Sequence, residues 1–299
     1  MPVKIKEITE KIKGVDWKTL IRKPAFWTVA ISGFTVLFVL VFLVIALTRP
    51  VDRPQPPEET LGTELVTQST EATLPPPEAN PIGLGDFYMD GDYLSCLYTP
   101  SVLGIDVSFW QDTVDWGKVK EAGVEFAMIR AGCRYSESGN LDVDDFAQTN
   151  YQGAKDAGIQ VGVYFFSQAT SVEEAVAEAD YLLDIIKDWQ VDMPVVFDWE
   201  IDPEGRTAKV DGRTLTDCTK AFCDRVKTAG YTPMVYFSKS QSLDTLYLAE
   251  LTDYKFWLAH YDTVLNYPYK IDMWQYTETG SVPGISGNVD INLYFPWEA

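Results

Sequence analysis

The sequence predicts an α/β protein whose larger portion is a closed, TIM-like barrel of eight strands, preceded by one transmembrane helix and a disordered spacer. Three observations predict this class. From about Leu103 onward, short β-rich runs alternate with stretches long enough for helices. The last three runs follow one another without helices between them. Near the N-terminus stands an apolar, charge-free run of membrane-spanning length. The divisions that follow are a basic tail (1–24), the membrane helix (25–48), a Pro/Glu-rich spacer (49–82), a pre-barrel segment (83–102) and the barrel (103–299).

The 299 residues carry 24 Lys/Arg against 44 Asp/Glu, a formal charge of -20. The balance is uneven: seven basic and three acidic residues precede Pro24, leaving 17 basic against 41 acidic in the remainder. Nucleic acid is excluded as a partner of the large portion, because phosphate binding needs a basic face. "AFWTVAISGFTVLFVLVFLVIALT" (25–48) holds 24 residues without a charge, more than the ~20 that cross a bilayer and longer than a signal-peptide core of about 7–15. The basic residues before it are expected to place the N-terminus in the cytoplasm and the larger portion outside the cell, on a single-pass anchor in the cell membrane. The following stretch contains eight prolines and six acidic residues before Ile82. It buries too little apolar surface to offset its ordering entropy and is expected to be a disordered spacer.

The expected strands are 103–108, 126–132, 160–167, 193–200, 232–238, 256–261, 271–277 and 287–294. Helical spacing of apolar residues marks Asp115–Ala122, Asp144–Ala157, Val172–Lys187, Leu215–Ala229 and Ser240–Leu251, with Gly158 and Gly230 as C-terminal stops. The links between the last three strands are too short for a parallel crossover and are expected to be loops or hairpins. Five β/α units and three further strands therefore make up the count. A doubly wound open sheet is the alternative, but no glycine-rich nucleotide fingerprint follows an early strand.

Side chains alternate along a strand, so in "MPVVFDWE" Asp198 and Glu200 share one face and Trp199 takes the other. The C-terminal rim of a barrel is where its chemistry sits. Two acids held close there, with apolar walls, resist ionising together, and one can keep its proton for donation to a glycosidic oxygen. Asp106 and Asp290 also stand at strand ends, and strands 1 and 8 are neighbours in a closed barrel. Each of these acids has a plainer use, in an Asx-turn or a loop cap. Trp110, Tyr164, Tyr236, Tyr261, Trp274 and Tyr276 gather in the same segments; Tyr164, Tyr236 and Trp274 are taken as sugar-facing, with the rest divided between site and core. Arg130 is a candidate for a substrate carboxylate, with a salt bridge as its alternative use. One histidine (His260) and four cysteines without C-x-x-C spacing (Cys96, Cys133, Cys218, Cys223) do not form a zinc pattern. Spacing leaves their disulfide status open.

"GIDVSFWQDTVDW", "FAMIRAG", "PVVFDWE", "GYTPMVYFS", "FWLAHY" and "MWQYTETGSVPGISGNVDIN", in this order, resemble the family 25 glycoside hydrolases from about Gly104 to Tyr294. The resemblance implies a (β/α)5β3 barrel and lysozyme activity, the cleavage of the β-1,4 bond between N-acetylmuramic acid and N-acetylglucosamine in peptidoglycan. The family's motif positions fall on Asp106, Asp198, Glu200 and Asp290. Glu200 is expected to be the general acid, with Asp198 orienting the sugar or its 2-acetamido group, and no metal or organic cofactor is implied. A catalytically silent, membrane-tethered glycan-binding module is the second reading. A chitinase-like motif would need Asp where Met193 and Val196 stand, and a serine hydrolase lacks its G-x-S-x-G elbow.

Overall fold

The computed structural model describes residues 74–297. The membrane helix and most of the spacer expected from the sequence lie outside these residues; among the described ones, no helix is long and apolar enough to cross a membrane.

In chain order the strands are β1 (Phe87–Asp90), β2 (Tyr93–Cys96), β3 (Val102–Val107), β4 (Phe126–Arg134), β5 (Leu141–Val143), β6 (Gln160–Ser167), β7 (Val195–Trp199), β8 (Pro233–Ser238), β9 (Lys255–Ala259), β10 (Met273–Gly280) and β11 (Val289–Tyr294). The α-helices are α1 (Trp116–Glu121), α2 (Ala147–Asp156), α3 (Val172–Ile186), α4 (Gly212–Thr228) and α5 (Lys239–Asp244). Strands β3, β4, β6, β7, β8, β9 and β10 run parallel, and β11 lies antiparallel between β10 and β3, closing the barrel. The closure sets Asp290 directly opposite Asp106. All eight expected barrel strands are present, but β9 and β10 pair in parallel where the length of their link argues against it. A helix-free loop of 13 residues (260–272) makes that crossover. The short β5 adds an edge to β4, and β1 and β2 form a hairpin of their own.

Local chemistry sets the helix limits. Asp115, Ser171, Asp211 and Ser238 cap α1, α3, α4 and α5 by accepting from backbone N–H groups in the first turn. Gly158 and Gly230 follow α2 and α4 with φ of 71° and 92°, a conformation that other residues adopt at a cost. The fifth expected helix is broken. α5 ends at Asp244, and a 3-10 turn (Leu248–Glu250) follows. The cause is tertiary: Gly212 lies against the Thr245 carbonyl, and the Thr216 hydroxyl accepts from the Tyr247 N–H at 3.1 Å.

Two apolar layers result. Phe126, Met128, Tyr164, Val196, Met234, Trp257 and Met273 fill the barrel's inside. At Gly104 a side chain would run into the Phe126 ring, so a small residue faces a large one in the same layer. The outer layer lies between strands and helices, and where β9, β10 and β11 lack helices other segments cover it. Phe87 of the hairpin packs edge-on against Trp274 with ring centroids 4.9 Å apart, and Ile82, Leu94 and Cys96 are buried beside them. The final residues of the expected spacer are held here too: Ala79 pairs with Tyr269, and the Lys270 N–H donates to the Glu78 carbonyl at 2.8 Å. Order in this segment comes from buried Ile82 and from these backbone bonds, neither of which proline content reveals.

Trp274 must be corrected as a sugar-facing residue. Met273 and Gln275 face inward, so alternation turns Trp274 outward, where it is fully buried and its indole N–H donates to the His260 carbonyl at 2.8 Å. Trp274→Ala is therefore expected to cost about 3–5 kcal/mol of stability, roughly 10 °C in Tm, while KM of the folded fraction stays unchanged; thermal melts beside steady-state kinetics check this. A chain begun at Val102, lacking the hairpin, is expected to melt far below one begun at Leu74.

Candidate active site

The mouth of the barrel holds a cavity of about 280 Å³ lined by Asp106, Asp198, Glu200 and Asp290. The strand ends bring all four predicted acids together. Asp106 and Asp198 are 6 % exposed, Asp290 is half-buried, and Glu200 stands just past β7 at the open rim. Tyr164, Tyr236, Tyr261, Trp110 and Arg130 line the same cavity, whereas Trp274 and Tyr276 belong to the outer layer.

Each acid has a distinct setting. Asp106 accepts through Oδ2 from Gln275 Nε2 at 2.9 Å and from Asn292 Nδ2 at 2.8 Å. Both amides are themselves locked. The Trp257 indole N–H donates to Asn292 Oδ1 at 2.8 Å, and the hydroxyls of Tyr236 and Tyr261 donate to Gln275 Oε1 at 2.9 and 3.2 Å. Gln275 and Asn292 escaped the sequence reading, although they sit two positions from inward-facing Met273 and from Asp290. Asp198 has a buried Oδ1 with no hydrogen-bond partner in the protein. Arg130 takes its alternative use: Nε and Nη2 both lie 2.8 Å from Asp144 Oδ2, and the guanidinium stacks over Phe109 at 4.7 Å. Arg130 still edges the cavity, and its charge partly offsets that of Asp198.

The electrostatics follow from crowding acids in a poorly solvated mouth. Burial is the leading cause that raises the pKa of all four, and the neighbouring carboxylates add to it for Asp198, Glu200 and Asp290. Asp290 is pushed up to about 8 by burial, then by the charge of Asp106 and the hydrogen bond it makes to it. The same bond, with those from Asn292 and Gln275, favours the ionised form of Asp106. Asp290 thus carries a proton that Asp106 accepts. Asp198 lies well above the usual carboxylate range through burial and then the charge of Glu200. Among the described residues, no three His, Cys, Asp or Glu side chains converge as metal ligands. All four cysteines are free thiols, three buried and Cys133 half-buried.

A raised carboxyl pKa makes the folded state the better proton binder between the unfolded value near 4 and the folded value. Its stabilising share is complete below that window and lost as pH rises through about 8. Asp290→Asn, which cannot ionise, is expected to melt several degrees above the parent at pH 9 and to converge with it at pH 4. Melting curves across this range check the sign.

Comparison with known proteins places this chain in a family. Residues 105–285 match the model of the glycosyl hydrolases family 25. Lysozyme M1 of Streptomyces globisporus is 31% identical over 261 residues, covering 78% of this chain and 86% of that protein. The crystal structure of the bacterial lysozyme from Streptomyces coelicolor superposes with a TM-score of 0.55 at 31% identity, over 66% of this chain and 93% of the other. The modular autolysin LytC from Streptococcus pneumoniae, solved with a synthetic peptidoglycan ligand, gives 0.58 at 26% identity, and the match spans about half of that longer protein (47%). The chain, with its four acids at the mouth of a (β/α)5β3 barrel, belongs to family 25 of the glycosyl hydrolases and is a glycoside hydrolase.

Proposed function

We propose that the protein is a lysozyme that hydrolyses the β-1,4 bond between N-acetylmuramic acid and N-acetylglucosamine in peptidoglycan. The observation that carries the reading is a raised-pKa carboxyl, Glu200, on the open rim beside a buried Asp198 that has an unpartnered oxygen. Glu200 gives its proton to the glycosidic oxygen as the bond from that oxygen to the anomeric carbon breaks. Asp198 Oδ1 accepts from the N–H of the 2-acetamido group, turning the acetamido oxygen toward the anomeric carbon, where it forms the new bond. Water then adds at that carbon as the bond to the acetamido oxygen breaks and the acetamido group is restored. The water's proton returns to Glu200, completing a substrate-assisted route. Asp106 and Asp290 hold one proton between them and keep the far wall of the cavity polar. Tyr164 and Tyr236 supply aromatic surface to the sugar.

The same reading places the enzyme on the outer face of the cell membrane, anchored through residues 25–48. The support is the 24-residue charge-free run and the basic residues before it.

Glu200→Gln keeps the shape and removes the proton, so release of reducing ends from purified peptidoglycan is expected to fall by about 10²–10⁴. Mass spectrometry of the parent's products is expected to find muramic acid at the reducing end. Equal rates for parent and variant, or glucosamine at that end, would overturn the assignment. Gln275→Met removes a donor that favours ionised Asp106, so Asp106 takes up its proton at higher pH. The acidic limb of the kcat/KM profile is expected to move upward in pH.

A further inference from the structure

A second cavity, of about 820 Å³, opens beside Glu200 on the ends of β7, β8 and β9. It shares Glu200, Tyr236 and Tyr261 with the catalytic mouth, whereas Asp106 and Asp290 stand across the barrel on β3 and β11. Its lining combines two features. Ile201, Leu243 and Tyr261 are exposed apolar side chains along the wall. Lys239, directly after β8, adds a cation.

That lysine is unusual in this chain. Among the described residues, every arginine and most lysines are paired with a carboxylate. The lysines without such a partner are Lys120, Lys209, Lys227 and Lys239; the first three are exposed on the surface, and Lys239 alone is half-buried and lines a cavity. An ammonium partly withdrawn from water, in a protein carrying 44 acidic residues, lacks the compensation that its neighbours have found. Beside it, His260 has a buried Nε2 with no hydrogen-bond partner. Burial, and then the charge of Lys239, lower its pKa, so the ring is neutral at pH 7. A cation on an apolar wall is complementary to a ligand with one carboxylate and small apolar groups. Asp244, on the same wall, disfavours a second negative charge.

We propose that this cavity binds the peptide carried by the muramic acid of the substrate, with Lys239 on a peptide carboxylate and Ile201, Leu243 and Tyr261 against its apolar side chains. The assignment rests on the muramidase reading and deepens it: the enzyme selects peptide-bearing glycan over bare glycan. The site is entered next to Glu200, so a peptide held there also fixes which glycosidic bond faces the acid.

The test uses the full-length protein on two substrates, glycan strands with their peptides and the same strands stripped by an amidase. The readout is the ratio of kcat/KM on the two. The parent is expected to favour the peptide-bearing strands. Lys239→Met is expected to lower this ratio about fivefold, the size of a partly exposed ion pair, while Lys239→Arg retains it. Raising the salt concentration is expected to shrink the parent's preference and leave that of Lys239→Met nearly flat. A ratio unchanged in Lys239→Met, or a parent indifferent to peptide, would overturn the proposal. Failure of the parent to release muramic reducing ends from either substrate is a separate result, and would sink the muramidase reading itself.

Discussion

The site depends on one arrangement: a carboxylate, Asp106, buried at the barrel mouth and held by two amide donors. Gln275 and Asn292 point their NH2 groups at the same oxygen because Trp257, Tyr236 and Tyr261 occupy their carbonyl ends. A buried anion with two donors is tolerable; a second one opposite it is not. Asp290 therefore keeps a proton and gives it to Asp106 in a hydrogen bond. The charge held at Asp106 in turn makes ionisation harder for Glu200 and Asp198. Charge at the mouth thus adds to burial in raising the pKa of the carboxyls on the rim.

The barrel's irregular third makes that arrangement possible. An antiparallel β11 brings its N-terminal end to the mouth, so Asp290 meets Asp106 across a paired register. A regular parallel strand followed by a helix would present its C-terminal end instead. The omission of helices leaves the outer faces of β9, β10 and β11 uncovered, and the hairpin, the end of the spacer and the loop before β10 bury them. The segment before the barrel and the strands that carry the acids are therefore coupled through Phe87, Trp274 and Ile82.

Much of this was legible in the sequence. Strand alternation gave Asp198 and Glu200 a common face, and short links gave the three final strands. The same alternation in "MWQYT" turns Trp274 out and Gln275 in, and an aromatic side chain suits the outer layer as well as it suits a sugar. Gln275 and Asn292 drew no notice because an amide in a strand carries no charge signal. The hairpin was missed because it is short and mostly polar on one side, although Gly91, with φ of 63° at its tip, is a turn residue of the expected kind. The break after α5 was not readable at all, since it is fixed by Gly212 and Thr216 from a neighbouring helix.

The most direct test of the central claim is a carboxyl-carbon NMR titration of the protein with labelled aspartate, assigned through single Asp→Asn variants. The account predicts that the Asp290 signal shows a protonated carboxyl at neutral pH and titrates near 8, and that replacing Asp106 by Asn lowers that value. Four ionised carboxylates at pH 7, each titrating independently near its ordinary value, would contradict it.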